Sequence, residues 1–426
     1  MRVLDFGPVM SEIVLACRDC GQIHRAGTSL LGRSLMCRRC GAVLWRLTSS
    51  GFAVPFVLAV TAPILFVLAN TFALFDISLA GDDRSTLILN GAVALSEYGD
   101  GISVVGVLVA LTSAIIPALS IALIIMTLAG LRATARGGSP PGPGLTGIWR
   151  LALHLRRWSM LDVYLLGAIV AYTRLGQLGQ VEVAAGGYAL AALVLAQVLV
   201  EQLLGRQQVW NAIGDPAKHS PTAGNPWVLC LECDLVVARM VGDGDRQRCP
   251  RCGARLERRR PGSLATTAAL TAAGFILYLP ANLFPMLTIT RFGRAQPYTI
   301  LGGVHDLATA GLWPLALLVL IASIIVPVLK LGGLTWCLIA IRLRSARALR
   351  QRTAVYRFID FIGRWSYIDV FMISTVTALV QFGTITTVEP GPAVASFAAV
   401  VALTIVASGA FDPRLMWDAG SGARQV

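Results

Sequence analysis

The sequence predicts a mainly α, polytopic membrane protein built as two tandem copies of one unit. Each unit is a cytoplasmic four-Cys zinc ribbon followed by a four-helix transmembrane bundle with a small exported β-hairpin. Three observations lead there. Runs 51–75, 101–131, 264–290 and 392–410 contain no Asp, Glu, Lys or Arg, and a helix needs roughly 20 apolar residues to cross a bilayer core. Runs 160–181, 185–205, 310–341 and 365–386 carry one or two charges each, so eight spanning helices are expected. Eight of the nine cysteines fall into two matching sets, and short motifs recur between the halves.

The first ribbon, 1–48, holds Cys17-x2-Cys20, sixteen residues, then Cys37-x2-Cys40. The second, 229–260, holds Cys230-x2-Cys233, fifteen residues, then Cys249-x2-Cys252. Two such pairs offer four thiolates to one tetrahedral zinc, which leaves no open position for catalysis. Two structural Zn2+ ions per chain are expected, with His24 not needed as a ligand and Cys337 a small packing residue. The competing reading is a redox dithiol, but that chemistry uses one pair at a helix start, whereas each pair here has a companion.

Bundle 1 is expected over 49–205, a linker over 206–228, bundle 2 over 261–412 and a cytoplasmic tail over 413–426. Ala69-Asn-Thr-Phe72 matches Ala281-Asn-Leu-Phe284, and Arg157-Trp-Ser-Met-Leu-Asp162 matches Arg364-Trp-Ser-Tyr-Ile-Asp369. An even helix number gives both copies one orientation, related by an axis along the membrane normal. Between the first two helices of the second copy, 287–290 and 298–301 flank a turn with Gly293 and Pro297, which reads as a hairpin. Segments 75–78 and 86–89 are the first-copy equivalent. No cleaved signal peptide is expected at the start.

The net charge is +13. Its arginines collect in alternate loops, Arg132 to Arg157 and Arg342 to Arg364, while intervening loops hold Asp76, Asp82, Asp83, Glu97, Asp100 and Glu389. That asymmetry places both termini and both ribbons in the cytoplasm, where thiols stay reduced. It also accounts for the charge without nucleic acid, so no nucleic-acid partner is expected.

The chain resembles the paraquat-inducible protein A family of bacterial envelopes. The likeness rests on the doubled ribbons, Tyr278-Leu-Pro-Ala-Asn-Leu-Phe-Pro-Met286 and Val326-Pro-Val-Leu-Lys-Leu331. Gly363-Arg-Trp-Ser-Tyr-Ile-Asp-Val370 and Phe411-Asp-Pro-Arg-Leu415 extend it. The resemblance implies a bacterial inner-membrane protein that works with a hexameric periplasmic MCE-domain tunnel protein. It further implies that membrane phospholipids are moved and outer-membrane integrity maintained.

Lys330 is one of two lysines, the other being Lys218, and it lies inside an apolar run. A charge at the bilayer centre costs about 3 kcal/mol or more. Two readings stay open: a stem that snorkels to headgroups, or an ammonium in a polar cavity paired with a carboxylate. Asp369, five residues after Arg364, is the expected partner on the cytoplasmic side, with Ser366, Ser323 and Thr404 completing a polar network. The alternative for Asp369 is a capping box, Ser366-x-x-Asp369, repeated as Ser159-x-x-Asp162. Asp162 faces no lysine, because the position equivalent to Lys330 is Ser120. The second copy is therefore the candidate active bundle, with Pro280, Pro285, Pro314 and Pro327 marking either a lateral cleft or plain kinks.

No P-loop, GxSxG, HExxH or catalytic carboxylate pair is present, so no enzyme is expected. Three functions are carried forward. They are lipid transport coupled to protons through Lys330 and Asp369, a membrane redox protein using its thiols, and a non-transporting anchor for the MCE partner.

Overall fold

The computed structural model describes residues 13–26, 35–45, 51–79, 82–136, 142–176, 180–214, 227–238, 247–382 and 386–420. Ribbon 1 comprises β1 (Ile13–Ala16), β2 (Ile23–Ala26), β3 (Leu35–Met36) and β4 (Val43–Trp45). The first helical half runs α1 (Ala53–Thr71), β5 (Phe75–Leu79), β6 (Asp82–Thr86), α2 (Ile88–Ser96), α3 (Asp100–Ala110) and α4 (Ile116–Ala135). It continues as α5 (Pro143–Arg156), α6 (Leu161–Leu175), β7 (Gln180–Val183), α7 (Ala185–Leu203) and α8 (Arg206–Ile213). Ribbon 2 contributes β8 (Trp227–Leu229) and β9 (Val236–Ala238). The second half repeats the order: α9 (Ser263–Leu283), β10 (Leu287–Arg291), β11 (Arg294–Tyr298), α10 (Ile300–Thr309), α11 (Trp313–Leu320) and α12 (Val326–Arg342). It ends with α13 (Leu349–Ile362), α14 (Ile368–Leu379), β12 (Thr386–Pro390), α15 (Ala393–Ala410) and α16 (Arg414–Gly420). The segment expected to be a linker therefore opens with a helix, α8; Lys218 and the prolines beyond it lie outside the described residues.

Among the described residues, six helices are long and apolar enough to cross a membrane, not eight. They are Ala53–Thr71, Gly101–Ala135, Ala185–Leu203, Ser263–Leu283, Trp313–Arg342 and Ala393–Ala410. The other two expected spans are α6, with 15 residues, and α14, with 12. At 1.5 Å per residue they rise only about 22 and 18 Å against a core of about 30 Å. Both lie in the centre of the protein, where they need not match lipid thickness. Tyr164 on α6 meets Phe371 on α14 edge-on, with ring centroids 5.2 Å apart. A Cβ on Gly167 would lie 2.8 Å from the Phe371 Cβ and 2.9 Å from the Ile368 carbonyl oxygen, so only glycine lets these helices touch. One apolar core runs through this contact and joins the two halves.

Each half carries a π turn in its second long helix, at Leu111–Ile115 and Ile321–Ile325. The cause is local. Pro117 and Pro327 have no N–H to give the carbonyl four residues back, and their rings crowd it. The preceding amides of Ile116 and Val326 reach instead to the oxygens of Leu111 and Ile321.

At the end of α1 and α9 away from the ribbons stand two three-stranded antiparallel sheets, ordered β6-β5-β7 and β11-β10-β12. A hairpin forms in each half, with Leu287 opposite Tyr298 and Phe75 opposite Thr86, but the return strands are Arg294–Tyr298 and Asp82–Thr86. The expected runs 298–301 and 86–89 meet them at one residue only and lead into α10 and α2. The third strand of each sheet, β7 or β12, comes from the loop before the last long helix of its half, α7 or α15, and was not foreseen. The β10–β11 turn puts Phe292 and Gly293 at φ 46° and 78°, the positive values a two-residue hairpin turn demands.

The ribbons cross over. Ribbon 1 sits under the second half: Arg357 on α13 donates to the Cys40 carbonyl oxygen at 2.8 Å, and Arg39 stacks on Trp417 of α16 at 4.4 Å. Ribbon 2 sits under the first, its cysteines packed with Leu128, Trp149 and Trp210, and Gln207 of α8 donates to Asp234 at 2.6 Å. Arg18 ties one ribbon to the other through the Asp234 carboxylate and the Leu231 carbonyl oxygen.

Candidate functional site

The four thiols of each ribbon converge. Cys17–Cys40 and Cys20–Cys37 sulfurs lie 3.4 and 3.5 Å apart, and Cys230–Cys252 and Cys233–Cys249 both 3.5 Å. All four sulfurs of a set fall within 4.8 Å of one another and are buried. A Zn–S bond of about 2.3 Å sets tetrahedral sulfurs about 3.8 Å apart, so these sets fit zinc. The turn after each pair needs a left-handed residue, and Gly21, Gly41 and Gly253 supply it at φ 70–73°. Asp234 takes that place in the fourth turn at φ 60°, which frees its carboxylate for Arg18 and Gln207. His24, set aside as a ligand, places Nε2 3.3 Å from the Cys37 sulfur and so braces the cluster from outside. Hydrogen bonds from Cys17 and Cys20 pull the Cys40 thiol down to about 2, while the same set of neighbours pushes Cys20 up. Only a cation in the centre lets all four carry thiolate charge together.

The second candidate locus lies at mid-depth in the second half. Lys330 is 1% exposed. It sits twelve residues, about 18 Å, from the end of its helix at Arg342, too deep to reach headgroups. The snorkelling arrangement is absent. Its Nζ donates to the Gly363 carbonyl oxygen at 2.6 Å and to Thr404 Oγ1 at 3.2 Å, while Thr404 passes its own proton to the Val401 carbonyl oxygen at 2.9 Å.

Asp369 is 3% exposed and is not where the sequence placed it. Because the Ile368 carbonyl lies against Gly167, the seventh residue of α6, Asp369 stands about 9 Å above the start of that helix. Its Oδ2 accepts from Ser323 in the π turn, and Ser323 also faces the Val319 carbonyl oxygen at 2.7 Å. One hydroxyl proton cannot serve both acceptors at once. Among the described residues, Asp369 Oδ1 has no hydrogen-bond partner, nor does Ser366 Oγ.

Lys330 and Asp369 thus form no direct ion pair. The reason is the intervening turn 363–367, whose Gly363 carbonyl captures the ammonium first. The capping box is absent as well: the N-cap positions of α14 and α6 are Tyr367 and Met160, not Ser366 and Ser159, and neither makes a side-chain cap. Asp162 turns outward to Arg364 at 3.6 Å. The structure therefore brings together Ser323 with Asp369 and Thr404 with Lys330, about two turns apart on one face of the 313–342 helix. Sequence reasoning missed Arg174, a half-buried cation on α6 whose charge acts on both Asp369 and Asp306. An arginine inside run 160–181, far from the basic loops, was the available signal.

Residues 53–214 and 264–420 match the profile of the family described as Paraquat-inducible protein A. The chain is similar to the Intermembrane transport protein PqiA of Escherichia coli K12, 27% identical over 95% of each chain. It is also similar to the Lipophilic envelope-spanning tunnel protein A of the same strain, 30% identical over 95% of this chain and 91% of that one. A Probable intermembrane transport protein of Haemophilus influenzae is 27% identical over 62% of this chain and 64% of its own. No solved structure gives a significant match. With six long apolar helices, this is a multi-pass membrane protein.

Proposed function

Because this chain belongs to the paraquat-inducible protein A family, we propose that it is an inner-membrane component of an envelope lipid-transport system. In this reading it loads phospholipid onto, or receives it from, a periplasm-spanning MCE-domain partner, with ribbons and termini in the cytoplasm and two structural zinc ions. The relatives' names, intermembrane transport protein and envelope-spanning tunnel protein, support the class of activity.

The observation that carries the mechanism is the pair of buried charges at mid-depth with unmet hydrogen bonds beside them. A buried carboxylate with one oxygen unpartnered is costly to keep, and an intramembrane charge marks a working site by default. Asp369 binds a proton at Oδ1 and loses its hold on Arg174, while Ser323 turns fully to the Val319 carbonyl. That loosens the π turn against α14 and lets the second half rearrange. Lys330 holds the other end of the same helix against Gly363 and Thr404, so the motion is confined to the upper part. The redox reading gains nothing here, since every ribbon thiol is buried among three others.

The test is rescue of envelope integrity in cells lacking the endogenous relatives. Lys330→Met and Asp369→Asn, each present at wild-type membrane levels, are expected to lose rescue. Full rescue by both variants sinks the proton-coupled mechanism. Loss of partner assembly in Lys330→Met would favour the anchor reading instead.

A further inference from the structure

The first half holds a pocket where the second half holds its lysine. It is open on one side and lined by Ala59 and Ala62 of α1, Ser120, Ile121 and Ile124 of α4, and Val200, Glu201 and Leu204 of α7, with Arg156, Ser159 and Gln197. The repeat register explains the coincidence. Aligning Pro117 with Pro327 sets Ser120 on Lys330, and aligning Arg157 with Arg364 sets Arg156 on Gly363 and Gln197 on Thr404. All three members of the Lys330 cluster have counterparts on the pocket wall. Without the lysine stem, the space stays open.

Two observations point to a ligand. Ser120 Oγ is buried at the pocket wall with no hydrogen-bond partner among the described residues, a cost a native fold rarely keeps without use. At the mouth, Arg156 donates to Glu201 at 2.6 Å, and the two side chains are 32% and 34% exposed. A pair this exposed opens cheaply. Along α1, Ala59 and Ala62 stand about 9 and 14 Å from the ribbon-side end, the depth where headgroups give way to acyl chains.

We propose that this pocket binds one phospholipid with a phosphoethanolamine headgroup, a site independent of the Lys330 cluster. Arg156 takes the phosphate, for which its planar fork is suited, and Glu201 takes the ammonium. Ser120 and Gln197 meet the glycerol ester oxygens. Ala62, Ile121 and Ile124 cover the first methylenes, and the rest of the tails leave through the open side. Phosphatidylglycerol offers the phosphate but no cation, so it leaves Glu201 unpaired.

The test uses the full chain in nanodiscs doped with phosphatidylethanolamine carrying a headgroup-proximal diazirine, with cross-linked peptides mapped by mass spectrometry. Labelling is expected on the segments holding Ser120 and Gln197–Leu204. It should fall about tenfold, equivalent to about 1.4 kcal/mol, in Arg156→Gln/Glu201→Gln and in Ser120→Leu. Gln197→Leu should lower labelling too while keeping the wild-type melting temperature, which guards against misfolding of either. A phosphatidylglycerol probe of the same design should label about tenfold less. Equal labelling by both lipids, labelling indifferent to the variants, or displacement by free phosphoethanolamine each overturns the proposal.

Discussion

Lys330 and Asp369 are each held by neutral oxygens, not by one another, and this sets what each side chain can do. A lysine satisfied by a carbonyl and a hydroxyl is anchored in place, whereas a carboxylate with a free oxygen is poised to change protonation. A contrasting carboxylate lies at the ribbon-side end of α15. Burial alone would raise the Asp412 carboxyl, but the Arg414 guanidinium, at 2.7 Å, and the amides of Arg260 and Arg414 hold it below its ordinary 3.8. A depressed carboxyl stabilises the fold above its unfolded value and loses that contribution as pH falls through the folded one. Docking of α16 is therefore expected to be flat from neutral pH to about 4 and to weaken below it, read as tryptophan fluorescence from Trp417. In Asp412→Asn the docking should be weak at neutral pH as well. At this scale the eight cysteines were legible because a chelate repeats in sequence. Lys330 stood out as a rare cation in an apolar run, and Thr404 was named beside it, but the Gly363 carbonyl was not, since a backbone carbonyl leaves no trace in composition.

Helices, turns and strands follow local rules in both halves, and the repeats show it. A serine four residues before a proline recurs as Ser113…Pro117 and Ser323…Pro327, and both sites widen into a π turn. Hairpin geometry is equally local, yet the tip carries an unusual choice. Phe292 is 81% exposed at a positive φ, a conformation that costs a side chain about 1–2 kcal/mol. Phe292→Gly should raise stability by about 1 kcal/mol, seen as a higher melting temperature in detergent; an unchanged or lower one would mean that the ring packs on something that offsets the strain. Run 287–290 already read as a strand from its β-branched residues, whereas 298–301 read as its partner and instead closes β11 at Tyr298 and opens α10. The third strands, Gln180–Val183 and Thr386–Pro390, did not read as strands, since they are short and pair with residues about a hundred positions away.

The whole molecule is held together by contacts that cross the repeat boundary. Gly167 makes one of them, and Gly167→Leu would push α6 from α14 at a cost of about 1–3 kcal/mol. The expected signature is a lower melting temperature with the ribbon metal content unchanged. The crossed ribbons make a sharper prediction. Cys37→Ser/Cys40→Ser should halve the bound zinc and deprotect α13 and α16 in hydrogen exchange, because ribbon 1 rests on them. Protection of α8 should survive, since ribbon 2 covers it. Loss of protection at α8 alone would mean that each ribbon serves its own half.

Sequence alone determined the class of molecule, the twofold repeat, the metal-binding sets and the identity of the intramembrane lysine. Those are properties of spacing and hydropathy, which a chain carries whatever it packs against. Tertiary structure decided how many helices are long enough to meet lipid, at what depth Asp369 stands, and which half each ribbon supports. These depend on pairings such as Gly167 against Ile368 and Arg357 against Cys40, between residues hundreds of positions apart. Close approach of two backbones, unlike apolarity, is a property of the pair and is written in neither segment by itself.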